Sequence, residues 1–90
     1  MAITYDPAKR DLTLLHRGLD FVDAEAVFDG LTATLVDDRI DYGEIRFQTY
    51  GLLDGRLVMI VWTERGSDRH IISMRKCNDR EERRFRSRLG

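Results

Sequence analysis

Three arginines, Arg46, Arg69 and Arg75, stand with Tyr50 in a part of the chain that reads as β-strand. Together they form a set able to hold phosphate oxygens through bidentate guanidinium contacts and to stack a base on a nearby ring. Two histidines, His16 and His70, are the residues whose ordinary titration lies nearest neutrality. His16 reads as a helix-surface residue. His70 either acts as a base or is a hydrogen-bonded core residue. With one cysteine, Cys77, and no ligand-type spacing, the sequence points to no metal site, and no glycine-rich phosphate loop is present. Cys77 itself reads as inert and partly buried.

These residues need a scaffold, and local signals supply most of one. Ile3-Thr4-Tyr5 is a short β-prone start. Asp6-Pro7 reads as an N-cap with proline at the first helical position, and Gly18 as the C-cap of a helix reaching about His16. Asp20 caps a second helix whose Phe21, Ala24, Val27 and Phe28 share a face, ended by Gly30. Thr32 to Val36 is a strand, residues 37–43 an acidic loop, and Ile45 to Leu53 a second strand. Asp54-Gly55 is the strongest local signal, a two-residue hairpin turn needing positive φ. Arg56 to Thr63 returns, Glu64 to Asp68 reads as a five-residue loop, and Arg69 to Lys76 is the last strand. Asn78 with Glu81 forms a capping box for a helix running from Arg80 to the C-terminus. The expected fold class is α+β: two N-terminal helices, an antiparallel meander of about four strands and a C-terminal helix, within one domain over residues 1–90.

The Asp54-Gly55 turn sets register by counting outwards: Phe47 opposes Trp62, Thr49 opposes Ile60, and Arg46 opposes Thr63. Extending the count through the five-residue loop puts His70 opposite Trp62 and Ile72 opposite Ile60. One face then holds Phe47, Val58, Ile60, Trp62, Ile72 and Met74, packed on helices. The other holds Arg46, Gln48, Tyr50, Arg69, Ser73 and Arg75, with Met59, Val61 and Ile71 between them. That second face suits a phosphate backbone with a stacked base. It equally suits cover by the C-terminal helix, with its arginines paired. Trp62 reads as core in this register.

Composition is that of a folded globular protein, 42% hydrophobic and 34% charged. Net charge is −1, yet residues 1–45 carry four Lys/Arg against ten Asp/Glu, while residues 46–90 carry eleven against six. Such asymmetry implies a basic face for an anion and an acidic face for something basic, or simply a solvated mixed surface. A lone cysteine fits a reducing compartment, and neither a signal peptide nor a membrane-length apolar run is visible, so a cytoplasmic, soluble protein with no membrane partner is expected.

An ordered set of short motifs then points to a family. Tyr5-Asp6-Pro7-Ala8-Lys9 opens it. Arg17-Gly18-Leu19-Asp20-Phe21 follows, with Ala24 and Val27-Phe28. Next come Asp37-Asp38-Arg39, Tyr42-Gly43-Glu44, Arg46, Gly51-Leu52, Val61-Trp62-Thr63, Arg65-Gly66, Ile71 to Lys76, and Arg80-Glu81. No piece is specific alone, but the order across nearly the whole chain resembles the BrnT toxins. His16-Arg17 departs from the pattern, where many members carry lysine and histidine.

The resemblance implies a RelE-like fold and an endoribonuclease of a type II toxin–antitoxin pair, needing no cofactor or metal. It implies a BrnA-like antitoxin, an RNA substrate, operator DNA bound only through the complex, and a heterotetramer of two toxins on an antitoxin dimer. RNA cleavage without a metal needs a base for the 2′-OH, cations for the charged phosphate and an acid for the 5′-oxygen. The candidates are Arg46, Arg65, His70, Arg75 and Lys76 for catalysis, and Tyr50, Arg69 and Arg80 for RNA binding. The competing reading is a non-catalytic or weakly active interaction module that works only inside a toxin–antitoxin repressor complex.

Overall fold

The computed structural model describes residues 1–89. Asp6 caps helix α1, Pro7–Arg17, by accepting from the Ala8 amide at 2.9 Å, and Gly18 ends it in the left-handed region at φ 67°. Asp20 accepts from the Val22 amide at 3.0 Å and opens a 3-10 turn, Phe21–Asp23, which leads into helix α2, Ala24–Asp29. The expected second helix is therefore shorter than its apolar pattern and starts through a tighter turn. The capping box at Asn78 and Glu81 forms as read, and α3 spans Asp79–Phe85 before a 3-10 turn, Arg86–Leu89.

One five-stranded sheet crosses the molecule in the order β1-β5-β4-β3-β2. The strands are β1 Ile3–Tyr5, β2 Thr32–Asp37, β3 Arg46–Leu53, β4 Arg56–Arg65 and β5 Asp68–Lys76. Strands β2 to β5 are the expected antiparallel meander. The correction is β1, which precedes both helices and lies parallel to β5, Thr4 opposite His70. Its partner is 66 residues away, so no hairpin signal announces it.

The Asp54-Gly55 turn forms with φ of 50° and 78°, and every β3–β4 partner falls where the count from it places it. The β4–β5 count does not hold. Both strands continue past the expected loop until Arg65 opposes Asp68, leaving Gly66, at φ 61°, and Ser67 as the turn. Trp62 therefore opposes Ile71, His70 opposes Thr63, and Ile60 opposes Met74. A one-residue slip reverses side-chain direction. A β-bulge at Ile72 then adds a residue and restores the original parity. Met74 and Arg75 thus keep their expected faces, whereas Arg69, His70, Ile71 and Ile72 change sides.

Both sheet faces are buried. On the α1/α2 side, Leu19, Phe21, Ala24 and Val27 pack on Val58, Ile60, Trp62, Ile71 and Met74. Trp62 is core, its indole N–H donating to the buried Thr49 hydroxyl at 2.8 Å. On the other side, Phe85 and Leu89 cover Tyr50, Leu57, Met59, Val61 and Cys77. Cys77 is buried and its thiol is pushed up to about 12, first by loss of solvent, so it is protonated and unreactive at neutral pH. Among the described residues no helix is long and apolar enough to cross a membrane.

Candidate functional site

Register brings five residues, one from each strand, into a single row: Asp37, Arg46, Thr63, His70 and Thr4 are successive cross-strand partners. Partners in register project to the same face. The row lies on the α3 side of the sheet, at the end remote from the Asp54-Gly55 turn. Adjacent strands are about 4.8 Å apart, so Arg46 and His70, on either side of Thr63, stand at roughly twice that spacing from each other.

Each member is held. Thr4 Oγ1 lies 2.9 Å from His70 Nδ1. The Thr63 hydroxyl donates to the Ile45 carbonyl at 2.7 Å, so its proton is already engaged. Arg46 donates from Nε to Glu44 Oε2 at 3.0 Å and lays its guanidinium 3.8 Å from the centre of the Tyr42 ring. Its terminal nitrogens have no hydrogen-bond partner among the described residues. Arg65, more than half exposed, approaches the other Glu44 oxygen at 3.9 Å. At the far end, buried Asp37 accepts two hydrogen bonds from Arg39 at 2.8 Å, which keep its carboxyl below the usual range.

His70 titrates below the ordinary imidazole range. Partial burial disfavours the cation most, and the charge of Arg65 adds to it, against an opposing pull from Glu44. The ring is therefore mainly neutral at physiological pH, as a general base must be.

The remaining sequence candidates lie elsewhere. Arg75 shares the α3 side, but both its terminal nitrogens bind the Glu81 carboxylate, at 2.8 and 2.7 Å, so it fastens α3 to the sheet. The Glu81 carboxyl is held down to about 2, chiefly by that contact. Tyr50 is buried beneath the same helix, stacked on Phe85 with centroids 3.9 Å apart, so one ring face is already occupied. Arg69 and Lys76 project from the opposite face. The Arg69 guanidinium lies 4.1 Å from the Phe28 ring centre and 5.3 Å from that of Trp62. Arg80 is exposed in the first turn of α3. The structure thus unites Arg46, Arg65 and His70, separates the other five, and adds Thr4 and Glu44. Thr4 carries no sequence signal, since only the parallel pairing of β1 brings it to the ring. Among the described residues no group of three or more His, Cys, Asp or Glu side chains is arranged to hold a metal ion.

Fold and row together define a small α+β protein with an imidazole, two arginines and a carboxylate gathered at one end of its sheet. The family model for BrnT, the ribonuclease toxin of a type II toxin–antitoxin system, matches residues 5–81, and the chain belongs to that family. The match takes in four members of the row and stops one residue short of Thr4. No curated protein matches the chain.

Proposed function

We propose that this chain cleaves RNA with its own side chains, and that the row centred on Thr63 is where it does so. His70 Nε2 takes the proton of a ribose 2′-OH. The 2′-oxygen attacks the adjacent phosphorus, and the 5′-oxygen leaves, protonated by water. The products are a 2′,3′-cyclic phosphate and a 5′-hydroxyl. Arg46, with its terminal nitrogens open, and Arg65, on a freely exposed stem, face the charge that grows on the phosphoryl oxygens. Glu44 orients both arginines. The base-competent tautomer is the one in which His70 Nδ1–H donates to the Thr4 hydroxyl, which leaves the Nε2 lone pair open.

The observation that carries this reading is the placement of Arg46 and His70 in one cross-strand row with only Thr63 between them, its hydroxyl bound to the Ile45 carbonyl. In cells the activity is held in check by a BrnA-like antitoxin, and the pair binds operator DNA together. The purified chain should convert RNA to fragments ending in cyclic phosphate. His70→Ala and Arg46→Ala should each lower the rate by about 100-fold or more while circular dichroism stays native. Wild-type rates in His70→Ala would remove His70 from the mechanism.

One observation favours a second reading, an interaction module without useful catalysis. Arg46 and Arg75 each already hold a carboxylate of this chain, which lowers the net charge offered to a phosphate. Under that reading the folded chain cleaves nothing and keeps its antitoxin affinity.

A further inference from the structure

Strand β1 covers β5 only from Arg69 to Ile71. Beyond it, α1 lies beside the β5 edge, and between them runs a groove of about 360 Å³ lined by Lys9, Leu12, Thr13, His16, Arg17, Ile72 and Ser73. Arg17 donates to the Met74 carbonyl at 2.9 Å, which ties α1 to that edge.

The charge of the groove is unusual for its part of the chain. Residues 1–45 are strongly acidic and contain only four Lys/Arg. Two of these, Arg10 and Arg39, are paired with Asp20 and Asp37 at 2.7 and 2.8 Å. The other two, Lys9 and Arg17, both line the groove, joined by His16, and among the described residues no carboxylate lines it. Leu12, which lines it, is 55% exposed, and Leu15, one turn on along α1 and outside the lining, is 76% exposed. Leucines left on a helix beside an unpaired strand edge and three basic side chains fit a partner that brings apolar side chains and carboxylates together.

We infer that the α1/β5 groove is the docking site for an acidic, apolar segment of the antitoxin. This rests on the toxin–antitoxin reading of the family. A Leu- or Val-sized side chain enters between Leu12 and Ile72, and flanking carboxylates meet Lys9, His16 and Arg17. A single RNA strand fits less well, because the groove offers no Phe, Tyr or Trp on which to stack bases.

The test is calorimetric titration of the full chain with its cognate antitoxin, comparing wild type with Leu12→Glu/His16→Glu. Both positions are exposed and neither belongs to the row. With native circular dichroism, antitoxin affinity should fall at least tenfold. An affinity within threefold of wild type overturns the proposal, and a loss of RNA affinity with antitoxin affinity intact reassigns the groove to RNA. Should the double variant not fold, His16→Glu alone is read by the same thresholds. RNA cleavage by each free protein is measured separately. A wild type that binds antitoxin but cuts nothing refutes the ribonuclease reading and leaves the groove standing.

Discussion

Thr4 and His70 oppose each other across the parallel strand pair β1–β5, with Thr4 Oγ1 2.9 Å from His70 Nδ1. The hydroxyl can accept from Nδ1–H or donate to a bare Nδ1, and in the first arrangement the Nε2 lone pair is left open. A ring free to choose its tautomer spends part of its time with the wrong nitrogen exposed.

Thr4→Val keeps the shape of the side chain and removes the oxygen. Turnover on RNA should fall roughly tenfold, the scale of one net hydrogen bond, with KM little changed, because nothing that binds substrate is lost. Thr4→Ser should restore most of the rate. Equal loss in both variants would mean that the strand matters and the hydroxyl does not.

The depressed titration of His70 sets a pH profile. A base with a lowered pKa stays neutral, and so active, at pH values where a free imidazole is protonated. The acid limb of kcat/KM should thus lie below 6.5, the ordinary value for histidine. Arg65→Ala removes a positive charge that lowers the pKa, so the midpoint should move up even as the maximum rate drops. Following the His70 ring proton by NMR in the free protein reads the same shift without substrate. A midpoint unmoved by Arg65→Ala would show that burial alone sets it.

Arg75 and Glu81 should behave as a stability pair. The Glu81 carboxyl titrates at about 2 in the fold against an ordinary 4.5. Its contribution is therefore fully present above about pH 4.5 and is lost as pH falls toward 2. Because Arg75 is partly exposed, solvent screening reduces the effect to about 1–2 kcal/mol. Glu81→Gln should flatten the acid side of the stability curve in urea melts, and Arg75→Ala should lower the urea midpoint at neutral pH. Growth assays with Arg75→Ala alone would confuse loosening of α3 with loss of catalysis, so His70→Ala is the cleaner probe of the site.

How much of this was legible before the structure depended on distance along the chain. Asp6-Pro7, Gly18, Asn78 with Glu81, and Asp54-Gly55 each act within a few residues, and each appears as read. The sequence locates the arginine face only in part, because residues 64–68 read as a loop and a register counted through such a loop is off by one. Two additional β4–β5 pairs formed there, and the slip they caused was undone by the bulge at Ile72. Nothing local encodes a bulge that restores parity, so Arg69 and His70 exchanged faces unseen. The competing expectation, that the C-terminal helix covers the face and pairs its arginines, holds for Arg75 and Tyr50 but not for Arg46.

Gly51 tests the packing that holds the sheet against α2. A Cβ at this position would sit 2.6 Å from Val27 Cγ1 and 3.2 Å from Thr32 Cγ2. Val27 is fully buried in the α1/α2 core, with little room to retreat. Gly51→Ala should therefore destabilise the fold by about 1–3 kcal/mol, the usual cost of overpacking. Val27→Ala alone leaves a cavity and also destabilises. In the double variant the new methyl occupies the vacated space, so its loss should be smaller than the two single losses added together. Urea melts of the four proteins measure the coupling directly. Simple additivity would mean that α2 moves away as a body, and that the contact between Gly51 and Val27 does not fix the height of the helix over the sheet.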